Sequence, residues 1–188
     1  MPNDKKYELV DKGPETELSR IRALKDIPEI GIKSGDTGGF VGSEKNLSHQ
    51  GLCWVWDNAV VSGEALVLEN AQVYDRAYVG GWSKVCGDAT IRDLATVEDR
   101  AVVCGSAELH GSSTVKGYGV VTGFAKLYDC VRVQDAATVT GNVKMYNTSR
   151  AMRRSFIGEN VELHDNCIVD GTACLTGNNR YSGNIRIV

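Results

Sequence analysis

The chain of 188 residues contains three histidines, His49, His110 and His164, and histidine is the side chain best suited to act as a general base near neutral pH. His110 and His164 each follow a glutamate by two positions, Glu108 and Glu162. On an extended strand a glutamate two positions away lies on the same side as the imidazole and can fix its tautomer. An ordinary surface pair has the same spacing. His110 and His164 are therefore the candidates for a catalytic base in an enzyme, and binding candidates otherwise.

Other groups with reactive or ligand-binding potential lack the spacing that their chemistry needs. The six cysteines contain no CxxC pair, which predicts reduced thiols and no metal site. Cys86 and Cys104 recur 18 residues apart, but no neighbouring base or cation marks either as a nucleophile. The stretch GDTGG at 35–39 has neither P-loop nor dinucleotide-binding spacing.

The overall composition narrows the class of partner. The net charge of −3 does not indicate the basic surface that nucleic-acid binding needs, so nucleic acid is disfavoured as a partner. No apolar run has the length of a membrane span, and the opening MPNDKK does not form a signal peptide. We expect a cytoplasmic protein of single-domain size with no membrane contact.

From Cys53 onward the chain divides into six-residue units without insertion, from CWVWDN at 53–58 to NRYSGN at 179–184. The third place is Val, Ile, Leu or Met in 21 of 23 units, the exceptions being Ala151 and Tyr181. The first place is Ala, Ser, Gly, Cys or Val in 21 of 23 units, and the fifth is Gly, Asp or Asn in 19 of 22. A helical period of 3.6 residues cannot produce this pattern.

Each column of the pattern has a physical cause. Places one and three lie on the same side of a strand, where a small and an aliphatic residue fill a narrow interior. Place five suits a corner with positive φ, which Gly, Asn and Asp tolerate. Each unit therefore predicts a short strand and a corner, and stacked units predict an all-β solenoid.

These units resemble the hexapeptide repeat of the LpxA-like superfamily. The stretches RIRALKDI (20–27), KSGDTGGFVGSEKNLSHQG (33–51) and CWVWDNA (53–59) resemble the opening of YdcK-like proteins, a bacterial and phage group often labelled acetyltransferases. The resemblance implies a single-stranded left-handed parallel β-helix, three units to a triangular coil. About seven coils are expected over residues 53–188.

Residues 1–52 do not follow the six-residue frame and are expected to form a β-rich cap on the first coil. The segments KYELVDKG and TELSRIRAL flank a Gly-Pro turn, which predicts a hairpin, with a helix for the second segment as the alternative. A cap would protect strand edges that otherwise pair with other chains.

With three units per coil, residues 18 apart lie on the same face. We call the faces first, second and third, and they begin with the outward residues of 54–56, 60–62 and 66–68, respectively. The first face carries a column of candidate binding residues: Trp56, Tyr74, Arg92, His110, Tyr128, Tyr146 and His164. Stacked aromatic residues can simply stabilise the coils. The functional alternative is a flat platform of π-faces for a protein or nucleotide-like partner.

The other two faces carry further candidates. The third face is largely apolar, and its candidate self-association residues are Leu66, Leu68, Val102, Val120 and Phe156. Either the cap covers this strip or it joins copies of the chain as a homo-oligomer, dimer or trimer. In the irregular unit SRAMRR at 149–154, Arg150, Arg153 and Arg154 mark an anion or acidic-partner contact, or a tolerated irregularity.

Two functional hypotheses follow. The first is a non-catalytic β-helical interaction module without a cofactor, in a phage or prophage setting. The alternative, implied by the family label, is an acyltransferase that uses acetyl-CoA in a cleft between subunits. Because no unit from 53 to 184 carries an inserted loop, nothing in the repeat itself overhangs a substrate, which favours the first hypothesis.

Overall fold

The computed structural model describes residues 5–10 and 17–188, so the predicted Gly13-Pro14 turn lies outside the described residues. Within these ranges the chain forms β-strands and two short 3-10 turns, Pro28–Ile30 and Glu44–Asn46, and no α-helix. The predicted all-β class is confirmed.

Three strands precede the repeats: β1 (Tyr7–Val10), β2 (Ser19–Ala23) and β3 (Thr37–Val41). The repeats then form strands of two residues each, spaced six residues apart: β4 (Trp54–Val55), β5 (Val60–Val61), β6 (Leu66–Val67), β7 (Gln72–Val73), β8 (Tyr78–Val79), β9 (Lys84–Val85), β10 (Thr90–Ile91), β11 (Thr96–Val97), β12 (Val102–Val103), β13 (Glu108–Leu109), β14 (Thr114–Val115), β15 (Val120–Val121), β16 (Lys126–Leu127), β17 (Arg132–Val133), β18 (Thr138–Val139), β19 (Lys144–Met145), β20 (Arg150–Ala151), β21 (Phe156–Ile157), β22 (Glu162–Leu163), β23 (Ile168–Val169), β24 (Cys174–Leu175), β25 (Arg180–Tyr181) and β26 (Arg186–Ile187).

Every third strand of the repeats pairs in parallel, and three sheets result. The first face is an eight-stranded sheet from β4 to β25, and the third face is a seven-stranded sheet from β6 to β24. The second face continues through β5 and β3 to β2 and β1, which makes eleven strands. The predicted parallel β-helix is confirmed, whereas its left-handed winding stays a prediction.

The solenoid has about eight turns, one more than expected. The additional turn comes from residues before the repeats, because β3 pairs in parallel with β5 and Leu47 forms a parallel bridge with Val67. Parallel pairing of this kind needs only a matching strand direction and spacing, and not the six-residue composition.

Places one and three face inward, as predicted. Val97, Val103 and Leu109 are completely buried, and so are the alanines that alternate with them. Ala151 occupies a buried aliphatic place, yet its strand β20 stays in register with both neighbours, β17 and β23. The irregular unit therefore does not interrupt the coil.

All 22 fifth-place residues have positive φ, from 50° at Asp57 to 91° at Gly183. Half of them are glycines, and most of the others are Asp or Asn. The carboxylates do more than tolerate this conformation. The Asp93 carboxylate accepts a hydrogen bond from the N–H of Gly111 at 2.8 Å, and Asp75 accepts one from Asp93 at 2.9 Å. Each acidic corner thus satisfies a backbone donor of the next coil.

The cap strands form the predicted hairpin, since β1 pairs antiparallel with β2. Lys6 is buried and donates from Nζ to the backbone oxygen of Cys53 at 2.7 Å. Burial lowers the pKa of Lys6 and raises the pKa of the Cys53 thiol. A side chain on Gly38 would collide with the backbone oxygen of Val55. The glycines at 38 and 39 therefore permit close packing of β3 on the first coil.

The far end of the solenoid has no such cover among the described residues. Strands β24, β25 and β26 end the three sheets, and Ile185 and Val188 are exposed. The bulky Tyr181 and Ile185 occupy places that hold smaller or aliphatic residues elsewhere, and Tyr181 packs partly against the core. The Tyr181 ring therefore covers part of the open end.

The prediction that all six cysteines stay reduced is wrong for Cys86 and Cys104, which form a disulfide. Both occupy the fourth place on the third face, directly after the adjacent strands β9 and β12. In-register pairing places their Cα atoms 4.6 Å apart, within the range that a disulfide bridges. A repeat of 18 residues therefore brings the two thiols together without any CxxC motif.

The disulfide predicts the thiol count of the purified protein. Denatured without reductant, the protein should release four titratable thiols, those of Cys53, Cys130, Cys167 and Cys174, and six after reduction. The reductant-free sample of a Cys86→Ser, Cys104→Ser variant should also give four, which controls for thiol accessibility. Six thiols in the unreduced parent would contradict the pairing.

Candidate functional site

The outward residues of the first face form a stacked column. Trp56 stacks on Tyr74 with ring centroids 5.4 Å apart and an interplanar angle of 7°. The guanidinium of Arg92 lies 5.6 Å from the Tyr74 ring centroid. The sequence-predicted column is therefore a physical stack at its N-terminal end.

A second run of stacked rings covers the next four coils. His110 lies 4.9 Å from Tyr128, Tyr128 lies 5.0 Å from Tyr146, and Tyr146 lies 4.5 Å from His164, centroid to centroid. Interplanar angles between 7° and 19° make each contact a face-to-face stack. We call these four residues the aromatic ladder.

The orientation of the rings differs from the expected platform of π-faces. Adjacent coils are about 4.8 Å apart, which is close to the distance at which rings stack, so each ring lies on its neighbour. The faces inside the ladder are consequently occupied, and ring edges point to solvent. The surface that a partner meets is a row of edges, with the hydroxyls of Tyr128 and Tyr146.

A charged row runs beside the ladder at the second place of each unit. Lys126 donates to Glu108 at 2.7 Å, and Lys144 donates to Glu162 at 3.4 Å. The imidazole Nε2 of His110 lies 3.0 Å from the Glu108 carboxylate. The equivalent distance from His164 to Glu162 is 3.5 Å. The suspected Glu–His pairs thus exist, and each glutamate also has a lysine partner.

The electrostatics favour ionised glutamates. Burial raises the pKa of Glu108, but hydrogen bonds from Lys126 and His110 outweigh it and hold the pKa below its usual value. The hydrogen bond from His164 lowers the pKa of Glu162. An ionised carboxylate favours a proton on the Nε2 that faces it, which leaves Nδ1 of each histidine as the basic atom. The pair is chemically capable of base catalysis, but it stands on an open, flat face.

His49 has a different environment in the cap. Its Nδ1 accepts the backbone N–H of Lys6 at 3.2 Å, and its Nε2 lies 3.1 Å from the Glu44 carboxylate. The ring stacks on Tyr7 at 4.4 Å. Because both nitrogens and one ring face are engaged, His49 joins β1 to the first coil.

The three arginines of the irregular unit do not form one cluster. Arg150 points outward on β20, whereas Arg153 lies at the corner and its Nε is 3.3 Å from the buried carboxylate of Asp170. Arg186 also pairs with Asp170, and its hydrogen bond lowers the pKa of that carboxyl. Arg154 is exposed at the next position.

The apolar strip of the third face is outward and uncovered by the described cap residues. Leu66 and Phe156 are each 37% exposed, and Leu68, Val102 and Val120 are half-buried. Strands β1 to β3 extend the second-face sheet instead, and only the short turn Glu44–Asn46 with Leu47 reaches β6. The described cap residues therefore leave most of this strip uncovered, and self-association stays a prediction.

Sequence reasoning missed two strongly exposed aromatic residues. Trp82 is 66% exposed and Tyr118 is 61% exposed, and Arg100 lies between them with its guanidinium carbon 5.8 Å from each ring centroid. All three occupy the sixth place, at the corner that joins the second face to the third. Their recurrence 18 residues apart is the sequence signal for this column, because the sixth place, like the second and fourth, can point outward.

Comparison with known proteins gives no match, either to a protein-family model or to a curated protein. The YdcK-like resemblance therefore stays a prediction. In the described part of the chain, no helix is long and apolar enough to span a membrane. Over the same residues, no group of His, Cys, Asp and Glu side chains has the arrangement of a metal site.

The aromatic ladder predicts a stability effect. Replacing Tyr128 and Tyr146 with Ala removes three ring stacks, each worth about 0.5–1.5 kcal/mol, so the free energy of unfolding should fall by about 2–4 kcal/mol. The Tyr128→Phe, Tyr146→Phe variant keeps the stacks and should unfold like the parent in a denaturant titration. Equal stability of the alanine variant and the parent would show that the ladder is structurally passive.

Proposed function

We propose that this protein is a non-catalytic β-helical interaction module that binds another protein through the first face. The observation that carries the proposal is the aromatic ladder with its flanking ion pairs, Glu108–Lys126 and Lys144–Glu162. Rings held by stacking lose little conformational entropy on binding, and preorganised surfaces bind more tightly for that reason. Flat surfaces suit protein partners, whereas small molecules favour concave sites.

The ring-edge geometry supports a polar partner surface. The ladder offers two tyrosine hydroxyls and the ring edges of two glutamate-paired histidines at intervals of about one strand spacing. Tyrosine combines a rigid apolar body with a hydroxyl that needs a hydrogen-bond partner, which is why it is enriched at interfaces. No cofactor is part of this proposal, and a nucleotide-like partner on this face becomes less suitable because the ring faces inside the ladder are occupied.

Two further parts of the proposal concern the assembly and its setting. We propose that the third-face strip, with Leu66, Leu68, Val102, Val120 and Phe156, joins copies of the chain, since exposed apolar patches mark interfaces. The phage or prophage setting rests on the family resemblance alone. The disulfide between Cys86 and Cys104 weighs against the cytoplasmic location expected from the sequence, because disulfides persist mainly in oxidising compartments.

A second candidate function is acyl transfer from acetyl-CoA, in a cleft completed by another subunit. The observation in its favour is the pairing of His110 with Glu108 at 3.0 Å, which orients an imidazole as a general base requires. The described residues on this face form no overhang that would enclose an acyl acceptor. The proposal of a binding module needs no such enclosure.

The two functions make opposite predictions for matched variants. Proteins captured from host lysate would be identified, and each purified candidate titrated against the parent and the Tyr128→Phe, Tyr146→Phe variant. Loss of the two hydroxyls should lower the affinity for the partner by about tenfold, the effect of one or two hydrogen bonds. The stability of the folded protein should not change. The Tyr118→Phe variant, at the corner between the second and third faces, is the control and should bind like the parent.

The opposing outcome is enzymatic. The protein could turn over acetyl-CoA, and this turnover could disappear with His110→Gln or His164→Gln while Tyr128→Phe retains it. That result would contradict the interaction module and support the acyltransferase. If the double phenylalanine variant binds every captured partner as tightly as the parent does, the proposal that the first face binds the partner is wrong.

A further inference from the structure

The sixth-place column at the corner between the second and third faces carries a binding feature of its own. From the N-terminal side it contains Glu64, Trp82, Arg100, Tyr118, Ala136, Arg154 and Thr172. The guanidinium of Arg100 is sandwiched between the indole and the phenol, 5.8 Å from each ring centroid. One face of Tyr118 is therefore occupied, and its opposite face is directed along the column towards Ala136.

Ala136 leaves a vacant position in this column. Its side chain is a single exposed methyl group, and Arg154 follows one coil later. Because coils are about 4.8 Å apart, the anchor points of Tyr118 and Arg154 are separated by about 9.6 Å. One planar group above Ala136 would then be about 5 Å from each side, which matches the 4.5–5.0 Å spacing within the aromatic ladder. We call this position the corner slot.

Unneutralised positive charge lies beside the corner slot on the second face. Arg132 and Arg150 are in-register neighbours on β17 and β20, an arrangement in which like charges repel. Neither they nor Lys116 and Arg154 form an ion pair with any described residue. Elsewhere the outward basic residues of the repeats are often paired, as Lys126 is with Glu108.

A hollow of about 390 Å³ adjoins these side chains. It is lined by Thr96, Glu98, Thr114, Lys116 and Arg132. Lys116 precedes Tyr118 by two residues in the same six-residue unit, so the hollow lies on the face next to the corner slot. Two acidic groups lie nearby, Glu98 in the lining and Asp135 at the corner, and Asp135 accepts the N–H of Arg153 at 3.0 Å. The basic side chains outnumber them.

We propose that the corner slot and the adjoining hollow bind a nucleotide. The heteroaromatic base would stack between the phenol of Tyr118 and the guanidinium of Arg154, since bases stack on aromatic faces and on arginine planes. The phosphates would lie on Lys116, Arg132 and Arg150, where an arginine fork can donate two hydrogen bonds to one phosphate. Phosphate binding would also relieve the repulsion between the two stacked arginines. This site is separate from the first face and does not depend on the proposed function.

Calorimetric titration with ATP, adenosine and inorganic triphosphate tests both halves of the site. The parent should bind ATP at least about tenfold more tightly than either fragment, because stacking and phosphate contacts contribute together. Tyr118→Leu should lower the affinity for ATP and for adenosine by about tenfold and leave the affinity for triphosphate unchanged. The double variant Arg132→Gln, Arg150→Gln should lower the affinity for ATP and for triphosphate and leave the affinity for adenosine unchanged.

Filling the corner slot provides the sharpest variant. Ala136→Trp continues the stack within the protein, so it should abolish adenosine binding and retain triphosphate binding, with a melting temperature no lower than that of the parent. Thr172→Trp, one coil beyond Arg154 in the same column, is the matched control and should bind ATP like the parent. Coenzyme A contains an adenine nucleotide, so its affinity distinguishes a site for a free nucleotide from a site for a coenzyme. Tighter binding of coenzyme A than of ATP would support the site and assign it to a coenzyme.

Three results would overturn the proposal. The first is an absence of saturable ATP binding at concentrations up to about 1 mM. The second is equal affinity for ATP and triphosphate, which would mean that only charge attracts the ligand. The third is undiminished ATP binding by Ala136→Trp in a protein that still melts cooperatively.

Discussion

The structure depends on one backbone conformation, the positive φ that recurs at every fifth place of the six-residue unit. This conformation turns the chain at a corner after each two-residue strand, and three such turns return it to a position one strand spacing above its start. The strands are too short to be stable individually. They become stable because each pairs with the strands one coil before and one coil after it.

Because the return occurs after 18 residues, the same place in successive coils falls in one column, and the chemistry of a column follows from its side chains. Carboxylates such as that of Asp93 accept the backbone N–H of the next corner. Rings stack, as Tyr128 does on Tyr146, and the thiols of Cys86 and Cys104 form a disulfide. Arg132 and Arg150 repel one another, and the small Ala136 leaves a space. The two surfaces that we propose for binding are thus consequences of the same register.

The strands and the buried places could be predicted from the residue pattern, since a strand of two residues and a corner leaves a pattern with no competing explanation. The three faces were predicted from the family resemblance. The cap was less predictable, because β3 joins the second-face sheet through backbone pairing that needs no repeat composition. The orientation of the ladder rings, the disulfide and the Trp82–Arg100–Tyr118 sandwich required the distance between coils. A linear pattern shows which residues share a column, but it does not show how closely their side chains meet.

The central claim is that the six-residue frame, with a positive-φ residue at each corner, determines the fold, and duplications test it directly. A duplication of residues 105–122 adds one whole coil and keeps every later residue in its column. A duplication of residues 105–113 adds one and a half units, so the strands that follow lose their inward places or must expel residues as a loop. Measured by thermal denaturation, the whole-coil variant should unfold cooperatively near the midpoint of the parent, and the partial-coil variant at a lower temperature. Equal midpoints for the two duplications would contradict the claim.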